Sequence, residues 1–190
     1  MTNLLEPYNP NWKMEFGHIK QVLERELSCL NSNIDIEHIG STSIEGLFAK
    51  PILDIDIILV EKDLIGDITL KLEKIGYRSK GEQGIPGRFA FRQTNDFVPY
   101  TIPTRKWQEH HLYVCFADSS AAKNHLLFRD ALRKDKQLAA QYSQLKISLT
   151  GNEKMTRAEY SKLKTDLIVS VLAMQGLTEA ELKEIIAANS

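Results

Sequence analysis

An isoleucine-rich segment at 52–60 that carries two aspartates is the strongest constraint on how this chain folds. Alternating apolar residues over this length predict a β-strand. Side chains two apart on a strand share a face, so Asp54 and Asp56 are expected to point the same way. Neighbouring like charges on an apolar strand repel and lose hydration, so we expect a cation to offset them. The opposite face, expected to enter the core, consists of Leu53, Ile55, Ile57 and Leu59.

A Gly-Ser turn precedes this strand and predicts a phosphate site. Glycine lets the backbone approach a ligand closely, and successive N–H groups with the Ser41 hydroxyl can bind phosphate oxygens beside Gly40. Paired carboxylates are hard oxygen ligands that suit Mg²⁺, which commonly shares its ligands with substrate phosphates. The turn and the aspartates together therefore predict a Mg²⁺ and phosphate site at Asp54 and Asp56.

The composition is that of an ordinary globular protein and argues against two classes of partner. The 190 residues have a formal net charge of -1, so no overall basic surface predicts binding to nucleic acid or to an anionic membrane. Residues 1–12 lack a cationic start and an apolar run, and no apolar stretch is long enough to cross a membrane. We therefore expect a cytoplasmic protein. Its two cysteines, Cys29 and Cys115, predict reduced, partly buried thiols.

Periodicity divides the chain into a mixed first half and a helical second half. From Asp118 onward the long segments have helical spacing, with a break at 150–152 and a capping box at Thr156. We expect an α+β core over 1–117 with a helical C-terminal extension over 118–190 packed on it, or one domain containing both. Before residue 118, the predicted helices are 12–30 and 61–75, and the predicted strands are 34–39, 52–60, 88–94 and 111–116.

Basic residues near these motifs are candidates for binding phosphate. Lys50 precedes the aspartate strand, where it would contact a phosphate or balance Asp54. Arg88 and Arg92 lie four apart on a predicted strand, so they share a face opposite two phenylalanines. They would bind an anion or form a solvated sheet face.

Histidines are candidate pocket residues without a recognisable zinc spacing. His38 lies two residues before Gly40, and His111 begins a predicted strand. His125 and Arg129 are one helical turn apart and would either face the pocket or, like most such residues, lie on the surface. The sequence contains no His-x-x-x-His or mixed Cys/His spacing, so we expect no zinc site.

Three stretches together resemble the GrpB family. They are IGSTSIEGLFAKPILDIDIIL at 39–59, HHLYV at 110–114 and HLLFRDALRKD at 125–135. The Gly-Ser turn followed by Asp-x-Asp is similar to the signature of the nucleotidyltransferase superfamily, which has the polymerase β-like fold. The likeness covers residues 8–170. It implies a nucleotidyltransferase-like mixed β-sheet flanked by helices.

The resemblance also implies roles for particular residues. In the superfamily the Gly-Ser pair contacts nucleotide phosphate and the paired aspartates bind catalytic metal. Active members usually carry a third carboxylate on a neighbouring strand, and the corresponding strand here, 111–116, has none. Glu109 lies just before it and is a candidate substitute. The family pattern on this strand is His-Leu-His, so Tyr113 departs from it at a position beside the pocket. The implied phosphate and metal residues are Gly40, Ser41, Asp54 and Asp56.

Two functions are consistent with these residues. The first is Mg²⁺-dependent transfer of a nucleoside monophosphate to an unknown acceptor. The second is a module without catalysis that binds a nucleotide or other anion, or contacts a partner protein. Related domains occur fused to dephospho-CoA kinase, and the missing third carboxylate favours this second function. An acidic group beside the aspartates would favour the transferase, and a histidine would favour the binding module.

Overall fold

The computed structural model describes residues 5–30, 32–150 and 156–188, which form five strands and six α-helices. Each predicted strand is present, with ends shifted by at most one residue. Residues 151 and 152 of the predicted break lie outside the described residues. The elements are α1 (Asn11–Leu27), β1 (Ile34–Ile39), β2 (Leu53–Leu59), α2 (Ile65–Lys74), β3 (Tyr77–Ser79), β4 (Arg88–Gln93), β5 (His110–Phe116), α3 (Ser120–Lys134), α4 (Lys136–Thr150), α5 (Arg157–Met174) and α6 (Glu179–Ala188).

The five strands form one mixed sheet in the order β1-β2-β5-β4-β3. Only the pairing of β2 with β5 is parallel among these strands, and the other three pairings are antiparallel. The aspartate strand β2 therefore lies inside the sheet, between β1 and β5. Both of its edges are hydrogen-bonded, which agrees with its continuous isoleucine-rich sequence.

One face of the sheet carries the main hydrophobic core. The apolar residues of β2 predicted to point inward are fully buried there, and α1 and α2 cover them. The helices supply apolar side chains at helical spacing, which places them on a single stripe of each helix. The largest contributors from the two helices are Trp12, Ile19, Leu23, Ile68 and Leu72.

The helices after β5 pack on the opposite face, which is the face of the two aspartates. Helix α3 begins at a cap in which Ser119 Oγ accepts a 3.2 Å hydrogen bond from Ala122 N. A second apolar cluster joins α3 and α4 to the segment between β1 and β2 and contains Ile44, Leu47, Leu132, Ala139 and Tyr142. The fold is thus a mixed sheet between two layers of helices. The division into 1–117 and 118–190 stays a prediction.

None of the helices in the described residues combines the length and the apolar composition that crossing a bilayer requires.

Candidate ligand and metal site

The two aspartates of β2 share a face of the sheet but have different surroundings. The side chain of Asp54 is 33% exposed, whereas that of Asp56 is 0% exposed. Two adjoining cavities of about 210 Å³ and about 340 Å³ lie between this face and helices α3 to α5. We call the two cavities together the cleft. The residues that line both cavities are Ser41, Asp54, Tyr113, Tyr142 and Lys164.

The Gly-Ser turn lies against the first aspartate. Antiparallel pairing of Ile39 with Asp54 brings Gly40 beside the Asp54 side chain. Gly40 has φ 68° and ψ -174°, a conformation essentially confined to glycine. A Cβ atom at this position would overlap Oδ2 of Asp54. The chain then makes a 3₁₀ turn over Ser41–Ser43, so the structure brings both turn residues to the cleft.

Strand β5 places a histidine and a tyrosine beside the aspartates. Its parallel register aligns Asp54 with His111 and Asp56 with Tyr113. Nδ1 of His111 lies 3.1 Å from Oδ1 of Asp54. Glu109, the candidate third carboxylate, borders a separate cavity of about 570 Å³ instead. Among the described residues that line the cleft, Asp54 is the only carboxylate.

The buried aspartate is bonded to a histidine from α3. Nδ1 of His125 lies 2.7 Å from Oδ2 of Asp56. Burial alone would lower the pKa of His125, but the Asp56 charge, the hydrogen bond to it and the charge of Asp54 together raise that pKa. Arg129, one turn along α3, is also buried and forms an ion pair with Glu37 of β1. The surface alternative for these two α3 residues is therefore wrong.

Two arginines and a tyrosine form a stacked group on β4 and β5. The Arg88 guanidinium lies 5.0 Å from the centre of the Tyr113 ring, and that of Arg92 lies 5.7 Å from it. Arg88 lines the cleft, whereas Arg92 borders the separate cavity with His111. Burial and the charge of Asp54 raise the pKa of Tyr113. Only Arg88 of the two arginines is therefore placed to contact a ligand within the cleft.

Lysines from three parts of the chain line the cavity of about 340 Å³, the larger of the two that form the cleft. Lys50 is exposed at the end of the loop before β2, and Lys146 and Lys164 come from α4 and α5. Lys146 is buried and donates a hydrogen bond to the carbonyl oxygen of Phe48. Burial and the neighbouring charge of Lys164 lower the pKa of Lys146 to about 7. The cavity therefore combines several cationic side chains with one carboxylate.

His38 does not line the cleft, which corrects its prediction as a pocket residue. It is paired with Ile55 and so lies on the opposite, core face of the sheet. Its ring stacks on Phe16 of α1 at 4.7 Å, and its Nε2 atom lies 3.0 Å from Oγ1 of Thr42. Burial and the nearby Arg133 charge lower the pKa of His38 to about 4. It therefore contributes to positioning the turn rather than to ligand contact.

Comparison with known sequences gives matches over most of the chain. The family model described as GrpB protein matches residues 3–174. A UPF0157 protein of Streptomyces coelicolor is 30% identical over 173 residues, which cover 90% of this chain and 83% of that protein. The UPF0157 protein YqkA of Bacillus subtilis is 31% identical over 161 residues, which cover 85% of this chain. The chain spans 43% of the length of this second relative.

Comparison with solved structures supports the fold. Conserved protein GrpB from Enterococcus faecalis matches with a TM-score of 0.71 and 28% identity, covering 90% of this chain and 99% of that one. The Cid1 poly(U) polymerase in complex with its short product ApU matches with a TM-score of 0.52 and 13% identity, covering 74% of this chain and 41% of that one. At this low identity the second match establishes the nucleotidyltransferase-like fold alone.

Proposed function

Because this chain belongs to the GrpB family and has a nucleotidyltransferase-like fold, we propose that its cleft binds a nucleotide or another phosphate-bearing small molecule. The observation that carries the proposal is the charge of the lining: Asp54 is the single carboxylate among the described cleft residues. Around it stand the cationic side chains Lys50, Arg88, Lys146 and Lys164, together with Arg129, whose charge is paired with Glu37 and Asp130. Such a concave, cation-lined site is suited to an anion.

The Gly-Ser turn provides the place for a phosphate group. Gly40 has no side chain where the backbone approaches Asp54, and Ser41 lines both cavities. Lys50 and Lys164 line the same cavity and would neutralise phosphate charge as point charges without fixed geometry. Arg88 is held over Tyr113, so it loses less side-chain entropy when it binds an anion.

The donors fit a Mg²⁺ ion at only one of the two aspartates. Asp54 is partly exposed in the cleft, where its oxygens and ligand phosphates supply the hard oxygen donors that Mg²⁺ prefers. Asp56 does not fit, since it is enclosed and bonded to His125, and its other neighbouring donor is the Cys115 thiol. We therefore propose that Asp54 binds Mg²⁺ together with a bound phosphate.

Nucleotidyl transfer to an unidentified acceptor is the second candidate function. The contact between the Gly-Ser turn and Asp54 favours it, because the same two motifs position phosphate and metal in the superfamily. The residues beside the aspartates on β5 are His111 and Tyr113, which favours binding as the first candidate. Release of pyrophosphate from a nucleoside triphosphate, abolished in Asp54→Asn, would reverse this order.

Calorimetric titration with nucleoside triphosphates, with and without Mg²⁺, tests the proposed binding. Asp54→Asn should weaken binding by about tenfold when Mg²⁺ is present. Without Mg²⁺ the same variant should bind equally well or more tightly, because a negative charge has been removed from the cleft. Lys50→Ala should weaken binding under both conditions, and Lys13→Ala, at an exposed position of α1, is its matched control. Absence of heat and of a thermal shift with every common triphosphate at about millimolar concentration would refute the proposal.

A further inference from the structure

Three side chains with different donor atoms meet beneath α3. Asp56 comes from β2, Cys115 from β5 and His125 from α3, and one donor atom of each lies within 4.8 Å of the other two. Cys115 is fully buried and His125 keeps 22% of its side chain exposed at the edge of the smaller cavity. The sequence spacing gives no sign of this group, because its members are 59 and 10 residues apart (56 to 115, and 115 to 125).

The group contains a polar atom whose hydrogen-bonding capacity is not used. Oδ1 of Asp56 is buried and has no hydrogen-bond partner in the described part of the chain. An unsatisfied buried carboxylate oxygen is costly, and such atoms are rare in native proteins. His125 satisfies only the other oxygen, Oδ2. Besides His125, the Cys115 thiol lies beside the carboxylate, and it is a weak donor whose hydrogen bond to Asp56 helps raise the Cys115 pKa. The poorly satisfied oxygen is a second observation, separate from the cluster itself, that points to a bound cation.

The donor types decide which cation fits. Mg²⁺ takes oxygen ligands, so a thiol and an imidazole exclude it from this position. Zn²⁺ is bound by thiolate, imidazole and carboxylate, and three such protein ligands with one open position are typical of zinc sites that keep a water or a substrate. We propose that Asp56, Cys115 and His125 form a Zn²⁺ site whose fourth position opens toward the cleft past His125.

The distances require only a small local contraction. A tetrahedral ion with bonds of about 2.0–2.3 Å holds its ligands about 3.5 Å apart. The present spacing of up to 4.8 Å therefore closes by side-chain rotation, while the 2.7 Å contact between His125 and Asp56 opens slightly. The apolar residues Ile58, Ala121, Ala122 and Leu126 pack around the group, and the Arg88 charge on the neighbouring strand also acts on His125 and Cys115. An apolar surrounding strengthens the attraction between the ion and its charged ligands.

Metal binding also changes the chemistry of the cysteine. Burial, together with the neighbouring Asp56 charge, raises the pKa of Cys115, so without metal it is a thiol and inert as a nucleophile. Coordination to Zn²⁺ replaces the thiol proton, which passes to solvent, and the resulting thiolate carries the negative charge that the ion requires. This inference uses Asp56 rather than Asp54 and does not rest on the proposed phosphate binding.

Cobalt substitution provides the test. Protein freed of metal with a chelator is titrated with Co²⁺, and we expect one ion per chain with an intense sulfur-to-cobalt charge-transfer band that Zn²⁺ abolishes. Cys115→Ser should remove the band and weaken Zn²⁺ binding at least about tenfold. Cys29→Ser, which alters the exposed cysteine, is the matched control and should leave the band unchanged.

Two results would overturn the zinc site. One is the absence of a charge-transfer band in the unsubstituted protein, and the other is a band that is lost with Cys29 rather than with Cys115. If Cys115→Ser does not fold, His125→Gln serves as the second variant and should shift the band. Phosphate binding is measured separately on the chelated protein, so failure of one proposal is distinguishable from failure of the other.

Discussion

Oδ2 of Asp56 on β2 accepts a 2.7 Å hydrogen bond from Nδ1 of His125 on α3, and none of the Asp56 side chain is exposed. A buried carboxylate with a single charged partner is sensitive to loss of that partner. His125→Ala should therefore lower the free energy of unfolding in metal-free protein by about 3–5 kcal/mol. Urea unfolding measures the change, with His111→Ala as the control. That variant breaks the half-exposed pair with Asp54 and should cost about 0.2–1 kcal/mol. Equal losses in the two variants would contradict this account.

The pair of His125 and Asp56 should make the protein less stable as pH rises. The pKa of His125 is raised in the folded protein, so its protonated form favours folding. The contribution of His125 to the free energy of unfolding is fully present below its pKa in the unfolded chain, about 6.5. It is lost as pH rises through the raised pKa of the folded protein. Urea unfolding of metal-free protein over this window should show a decrease that Asp56→Asn removes. A decrease that persists in this variant would assign the effect to another group.

Replacing Gly40 separates backbone strain from steric conflict at the cleft. Gly40→Ala places a methyl group against Oδ2 of Asp54 and should displace this carboxylate. Gly46→Ala is the matched control, since Gly46 also has positive φ, 81°, but open space where the methyl group would lie. Strain at positive φ should cost about 1–2 kcal/mol of stability in both variants, and displacement of the Asp54 carboxylate adds to this cost in Gly40→Ala. Only Gly40→Ala should weaken nucleotide binding in calorimetry, and equal weakening would show that the close contact is irrelevant.

Acid should destabilise the protein through two neutral, buried histidines. Burial lowers the pKa of His38 and of His110 to about 4 each. Because the folded protein binds these protons less readily than the unfolded chain, it is most stable above the unfolded histidine pKa of about 6.5. This stability is lost as pH falls through the folded pKa of about 4. Each histidine contributes roughly 3 kcal/mol to this loss. His38→Gln should flatten the acid limb of a pH-unfolding curve, whereas His18→Gln at a half-exposed position should leave it unchanged.

Phosphate binding should be linked to proton uptake through Lys146. The pKa of this lysine is lowered to about 7 by burial and by the charge of Lys164. A phosphate bound nearby would favour the ammonium form, so binding at pH 8 should take up a proton. Calorimetry in buffers with different ionisation enthalpies measures the uptake, which Lys146→Met should reduce. Heats that are the same in every buffer would contradict the link.

The strand that carries the aspartates was predictable, because alternation fixes faces within one strand. The same alternation predicts the observed position of His38. This residue shares a face of β1 with the apolar Ile34 and Ile36, so its side chain belongs to the core side of the sheet. Its nearness to Gly40 along the chain suggested a pocket position instead. Alternation along the strand therefore predicts which face of the sheet a side chain occupies better than its distance in sequence from a motif does.

The partners of the aspartates were not predictable from local pattern. His125 reaches Asp56 only because β5 pairs in parallel with β2 and α3 then packs across the same face. This requires knowledge of strand order, which periodicity does not supply. The burial of Asp56, in contrast to the partial exposure of Asp54, depends on the same packing. Cys115 joins the group for the same reason, although its spacing from the histidines indicated no metal site.

His125 lies on α3, which is synthesised after all five described strands, and this order has a consequence for folding on the ribosome. A nascent chain that has emerged as far as residue 117 contains both aspartates and every strand described, yet lacks the group that neutralises Asp56. Asp56 lies on the face that α3 covers later, so its carboxylate stays in contact with water until this helix packs on the sheet. We infer that this face of the sheet is sealed from water only when α3 supplies His125.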